Sequence, residues 1–270
     1  LEYQDPIPPD QTVAQLPLEM VQPAAPEEVD LIDVALILIV AFLAMVVGTL
    51  VTIAGYMLAH RQHTFDPRLL SENVMVVLPA QLVAYLIVVG FMAFIVAARH
   101  NRTLAEAIHW NSPSGKRWLQ ALGGGAAMGF GSQLASAFLS RWIPKSLPID
   151  QYFRDTSSAY LLAGFGIFIA PFVEEVFFRG FVFPALARWT GPAISVIITA
   201  GAFAMLHQGQ LAHAWAPLLI LFVVGTVLTI VRARTNSVST CVLVHMGYNG
   251  ALFGMLFFAT QGFRHLEKAF

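Results

Sequence analysis

The chain has 270 residues, of which 57% are hydrophobic and only 11% charged, with a formal net charge of -1. That balance is too apolar for a soluble domain of this size and describes a membrane protein, while the near-neutral charge and the lack of a GxxxxGK[ST] loop point away from nucleic acid and nucleotides. A single cysteine, Cys241, excludes an internal disulfide framework.

Residues 1–30 hold six prolines among acids and glutamines and carry no Lys or Arg. Such a composition cannot bury enough apolar surface to fold and is read as a disordered acidic tail, with no basic region of a cleavable signal peptide. A transmembrane domain is expected over residues 31–270. Apolar runs long enough to cross about 30 Å of hydrocarbon at 1.5 Å per residue begin with Val34 to Leu58 and Val74 to Ala98. Leu104 to Trp110 suits a short interfacial helix, and Trp110 and Trp118 suit the headgroup belt.

A third run, Leu119 to Phe138, is glycine-rich, and Gly125 and Gly129 at four-residue spacing allow a neighbouring helix to approach closely. The fourth, Ala159 to Trp189, is too long for one straight span and is expected to kink near Pro171 or to leave the bilayer after Gly180. Ala193 to Leu206, Ala216 to Val231 and Val238 to Ala259 complete seven, or eight if the fourth or last run divides. The expected fold is therefore an all-α, polytopic transmembrane helical bundle. Apart from Arg179, Lys and Arg divide seven and seven between the two sides, so charge does not set the orientation.

The fourth run contains Pro171-Phe172-Val173-Glu174-Glu175-Val176-Phe177-Phe178-Arg179-Gly180, two carboxylates and a guanidinium at membrane depth. Each costs roughly 2.5 to 3.5 kcal/mol on insertion scales, which makes the cluster a functional-site hypothesis. Glu175 and Arg179 stand at i and i+4 with the acid first, the favourable order for an ion pair, whether structural or functional. Glu174 is left over, and an incompletely paired buried carboxylate is suited to accept a proton. Two further clusters follow at the same spacing: Phe203 to His207 at the end of the fifth run, and His245 to Asn249 in the last. Together they supply a base, two imidazoles and an amide, the inventory for activating a water and stabilising an oxyanion, if the three helices converge. His245 and Asn249 are equally able to hydrogen-bond across helices. Cys241, one turn before His245, is read as a buried small hydrophobe, since nothing nearby lowers its pKa.

EExxxR, FxxxH and HxxxN, in that order on successive spans, resemble the CPBP family of type II CAAX prenyl proteases and their bacterial relatives linked to peptide processing and bacteriocin immunity. The resemblance covers Asp150 to Gly254, with the protease-like core at about residues 150–260. It implies an intramembrane endopeptidase in which Glu174 is the general base for the attacking water and His207 helps hold that water. His245 and Asn249 would face the oxyanion, and Glu175 with Arg179 would fix the helix. Some family members have been described as metalloproteases, in which case Glu174, His207 and His245 would be the zinc ligands. A water activated by glutamate without metal is favoured, because Asn249 suits hydrogen-bond donation and HExxH is absent, so no cofactor is expected. The implied partners are the lipid bilayer and a membrane-associated peptide or protein substrate. The implied location is a bacterial cell membrane. The alternative is a non-enzymatic membrane protein, a proton-coupled carrier or immunity scaffold, using the same carboxylates.

Overall fold

A computed structural model describes residues 29–61, 64, 66 and 73–268. The proposed tail at 1–30 lies outside the described residues except for its last two. Those two belong to the bundle: Val29 is buried, and Asp30 is the N-cap of α1 (Leu31–Ala59). Asp30 accepts the Asp33 N–H at 2.9 Å and Asp33 accepts the Asp30 N–H at 2.9 Å, a reciprocal cap that satisfies two orphan donors at the helix start.

The second run is α2 (Val74–His100), capped by the Asn73 side chain. It packs along α1, and the pair is tied at one membrane edge by Asp33, fully buried, which accepts from Arg99 and from His100 Nε2 at 2.8 Å. The expected interfacial helix is present as a single turn, α3 (Leu104–Ala107), with Thr103 and Glu106 forming its capping box.

Next comes α4 (Arg117–Phe138), the glycine-rich run. It lies against the last helix, α9 (Val238–Ala259), and the contact is backbone to backbone. A Cβ at Gly125 would stand 1.9 Å from the Val244 carbonyl oxygen, and one at Gly129 would stand 2.9 Å from that of Tyr248. The small residues expected to admit a neighbour do so here, at the cost of the apolar surface that α4 lacks.

The fourth and fifth runs form one helical stretch from Thr156 to Leu206, 51 residues. Straight, it would measure about 77 Å, more than twice the hydrocarbon thickness. It turns at Gly191, whose φ of 76° and ψ of 164° suit only glycine, followed by Pro192. Thr190 and Ser195 hydroxyls take the Leu186 and Gly191 carbonyls at the break. The stretch stays helical past Pro171 and Gly180, through two π-helical turns, and its backbone turns at Gly191, beyond Gly180.

Within the rod the order is α5 (Thr156–Gly164), a π-helical turn (Phe165–Ile169), α6 (Ala170–Phe177), a second π-helical turn (Phe178–Val182) and α7 (Phe183–Leu206). The sixth run, α8 (Trp215–Thr235), packs on α7. Among the described residues five stretches are long and apolar enough to cross a membrane. With the rod divided at Gly191 and α4 included, they are the seven runs read from the sequence. Large apolar side chains such as Phe42, Leu50 and Phe94 point outward from α1 and α2, as a lipid-facing surface requires.

Candidate active site

Glu174 and Glu175 lie between the two π-helical turns, the second of which contains Arg179, and both turns are completed in the same way. At the end of the first, the Ala170 N–H donates to the Phe165 carbonyl, five residues back. In that register the donor for the Gly166 carbonyl would be residue 171, which is proline and has no N–H. The carbonyl instead accepts from Asn249 Nδ2 on α9, at 2.6 Å. At the second, the Phe183 N–H donates to the Phe178 carbonyl, and the next donor is again a proline, Pro184. The Arg179 carbonyl that it would have served accepts from Arg232 Nε on α8, at 3.0 Å. Buried carbonyls must find donors, and here each proline-freed carbonyl recruits a side chain from a neighbouring helix.

Glu175 and Arg179 are fully buried and form the expected pair, Arg179 Nη1 donating to Glu175 Oε1 at 2.7 Å. The same oxygen accepts from His245 Nδ1 at 2.8 Å, and Arg179 Nη2 donates to the Gly225 carbonyl at 2.9 Å. The guanidinium also lies 4.9 Å from the Phe203 ring centroid. The pair thus fastens the rod to α9 through the acid and to α8 through the base. Breaking such a pair by removing one partner costs about 3–5 kcal/mol, because it strands the other charge.

His245 carries the constellation from Glu175 to Glu174. With its Nδ1–H on Glu175, the ring turns Nε2 towards Glu174, whose Oε2 is 3.9 Å away. That separation is too long for a direct hydrogen bond. Glu174 is 15% exposed where Glu175 is 0%, so the two adjacent carboxylates have different surroundings: one sealed and paired, one facing open space. His207 donates Nδ1–H to the Phe203 carbonyl at 2.9 Å, which leaves Nε2 as an acceptor. The Phe203 ring lies 5.0 Å from the His207 ring and 5.8 Å from that of His245, so the two imidazoles flank one aromatic side chain. Phe203 of the second motif thus meets Arg179 of the first and His245 of the third, while the contacts of His207 are with Phe203 one turn before it.

Among the described residues no group of three or more His, Cys, Asp and Glu side chains gathers as a metal site, and Glu174, His207 and His245 do not form one. One nitrogen of each imidazole is held by Glu175 or by a backbone carbonyl, which leaves Nε2 of each ring open. Cys241 donates towards the Ser237 and Leu228 carbonyls and is buried.

Four contributors were not singled out from sequence. Arg232 reads as a cation closing a span, yet it is 5% exposed and reaches the rod. The Gly225 carbonyl has no side chain to announce it. From α2, Tyr85 lies near enough to Glu174 for the carboxylate charge to act on its phenol, and Gln81 Nε2 donates to the phenol oxygen at 2.7 Å. The phenol hydrogen is thereby left to point elsewhere. Pro171 and Pro184, set 13 residues apart in an unbroken apolar run, were the available signal for the two π-helical turns.

No curated protein and no solved structure matches the chain. A family model does, over residues 156–251, the stretch that runs from α5 into α9 and includes every residue of the constellation. That family is described as Rce1-like, type II CAAX prenyl endopeptidase Rce1-like, and the match bears out the resemblance read from the three motifs: over residues 156–251 the chain is similar to that family.

Proposed function

We propose that the protein is an intramembrane endopeptidase that hydrolyses a peptide bond of a membrane-associated peptide or protein with a water activated by Glu174. The observation that carries this reading is the unequal treatment of the two carboxylates. Glu175 Oε1 is held by both Arg179 and His245, while Glu174 faces His245 Nε2 across 3.9 Å, near enough for one water to bond to both.

In this mechanism Glu174 takes a proton from the water as its oxygen bonds to the scissile carbonyl carbon, and negative charge passes to the carbonyl oxygen. The water is held between Glu174 and an imidazole nitrogen, Nε2 of His245 or of His207. Asn249 uses one amide hydrogen on Gly166 and retains a second for the oxyanion, so it serves both as a clamp and as a donor. Collapse of the tetrahedral intermediate breaks the carbon–nitrogen bond, and the proton on Glu174 passes to the departing amine. Glu175 and Arg179 touch neither water nor peptide; they fix the tautomer and direction of His245. No step needs a metal.

A relay for protons would string carboxylates from one face to the other. Among the described residues the other buried acid within a span is Asp33, at the membrane edge and paired with Arg99 and His100, which does not extend a path from Glu174. The reading also places the protein in a bacterial cell membrane, by the relatives that share the motifs.

The test is a quantitative map of peptide termini in membranes carrying the wild type or Glu174→Ala at matched levels. New termini found only with the wild type support the reading and identify substrate and bond together. Identical termini, with both proteins folded and the relevant peptides detected, overturn it.

A further inference from the structure

The clamp on the second π-helical turn is a residue that neither the motifs nor the mechanism uses. Arg232 sits in the last turn of α8, where a cation normally extends towards headgroups. Instead it is 5% exposed, and its guanidinium is used on three sides. Nε donates to the Arg179 carbonyl at 3.0 Å, Nη1 donates to Asn236 Oδ1 at 2.5 Å, and Nη2 faces His109 Nδ1 at 3.4 Å. Asn236 and His109 both have positive φ, 47° and 56°, so two tight backbone turns present the groups that hold the guanidinium flat.

A fixed sequence of hydrogen bonds leads from this point to the reacting groups. Arg232 holds the peptide carbonyl of Arg179; the Arg179 side chain holds Glu175; Glu175 holds His245; and His245 Nε2 faces Glu174. The first of these contacts exists because Pro184 cannot donate to Arg179 in the π register. We infer that Arg232 is a positioning residue for hydrolysis: its Nε–H stands in for the backbone donor missing at Pro184 and so sets the depth and direction of the Arg179–Glu175–His245 array. This rests on the protease reading, and it makes Pro184 and Arg232 a compensating pair.

The experiment is a cycle of wild type, Arg232→Met, Pro184→Ala and the double variant, with Arg232→Lys as the variant that keeps a donor. Each is assayed per folded molecule on the peptide found by terminus mapping, with kcat and KM separated and the thermal midpoint recorded. Methionine keeps the apolar stem and removes every donor, and kcat is expected to fall roughly 10- to 100-fold from misplacement of the array, with KM little changed. Pro184→Ala restores a backbone N–H, so the double variant regains most of the lost kcat, and Arg232→Lys lies between the wild type and Arg232→Met. An unchanged kcat in Arg232→Met, or a double variant no faster than Arg232→Met, overturns the inference. If Arg232→Met does not accumulate folded, a folded and active double variant supports the pairing, and an equally unfolded one overturns it. A wild type that cleaves nothing is a failure of the protease reading instead. The thermal midpoint then still reads the pairing: a smaller loss on removing Arg232 in the Pro184→Ala background supports it, and an equal loss overturns it.

Discussion

The two π-helical turns on either side of Glu174 and Glu175 differ in what completes them. The first, Phe165–Ile169, is partly exposed and its free carbonyl is taken by a neutral amide, Asn249. The second, Phe178–Val182, is buried at every residue, and its free carbonyl is taken by a guanidinium, Arg232. In the proposed mechanism the clamp on the partly exposed turn has a second amide hydrogen for the oxyanion. The sealed turn at Arg179 has nothing to accommodate, and its clamp is charged, immobilised and remote from the water. In that mechanism one segment serves the oxyanion, the other the registration of the site.

The largest effect tests the sealed side. Arg179→Met leaves Glu175 as an uncompensated buried charge and is expected to cost about 3–5 kcal/mol, read as loss of folded protein in detergent. Glu175→Gln leaves the converse charge stranded and should be similarly damaging. Retention of wild-type stability by either variant would mean the pair is not closed as described.

The exposed side is sharpened by pairing Asn249→Ala with Pro171→Ala. If Asn249 both clamps Gly166 and faces the oxyanion, the added N–H at 171 restores the thermal midpoint but not kcat, which stays lower by about 10²-fold or more. Recovery of both in the double variant would reduce Asn249 to a clamp and leave the oxyanion to other donors. Arg232 with Pro184 is expected to recover both, and that contrast separates the two segments.

A smaller effect comes from the interface that brings α9 to the site. Gly125→Ala drives a methyl into the Val244 carbonyl and is expected to destabilise by about 1–3 kcal/mol, while Gly123→Ala, with open space around it, should be neutral or stabilising by about 0.5–1 kcal/mol. Equal midpoints for the two variants would contradict the close approach of α4 and α9.

The smallest effect is at the entrance to the rod. Asp155 caps α5, and the Ser158 N–H and hydroxyl hold its carboxyl below the usual range. A depressed folded pKa contributes stability that is complete above the unfolded value, about pH 4, and is lost as pH falls through the folded one. Asp155→Ala should therefore cost about 1 kcal/mol at neutral pH, and less in acid. A cost that grows on acidification would contradict the cap.

How much of this was legible in the sequence follows from the physics of each feature. The seven apolar runs were readable because lipid demands long uninterrupted hydrophobicity, and α4 was readable from its glycine spacing despite its weak hydropathy. The turn at Gly191 was not singled out: Pro171 reads as a helix breaker, yet a π-helical turn and the Asn249 amide accommodate it, while Gly191 followed by Pro192 supplies the backbone geometry for a turn. The six motif residues stand out by type and spacing. Which of them touch was not readable, since the bond from His245 to Glu175, and that from Asn249 to Gly166, depend on how α9 packs against the rod. Arg232 was hidden by an ordinary position: a span-ending arginine has the same sequence signature whether it meets solvent or a buried carbonyl.

The central claim is that Glu174 moves the proton, and the most direct measurement is kcat for Glu174→Gln against wild type on the peptide identified by terminus mapping. Glutamine keeps the size and the hydrogen bonding of the side chain but cannot accept a proton from water. The account predicts a loss of about 10²- to 10⁴-fold in kcat with KM and thermal midpoint intact. A variant within a few-fold of wild type, correctly folded and acting on the same bond, would contradict it.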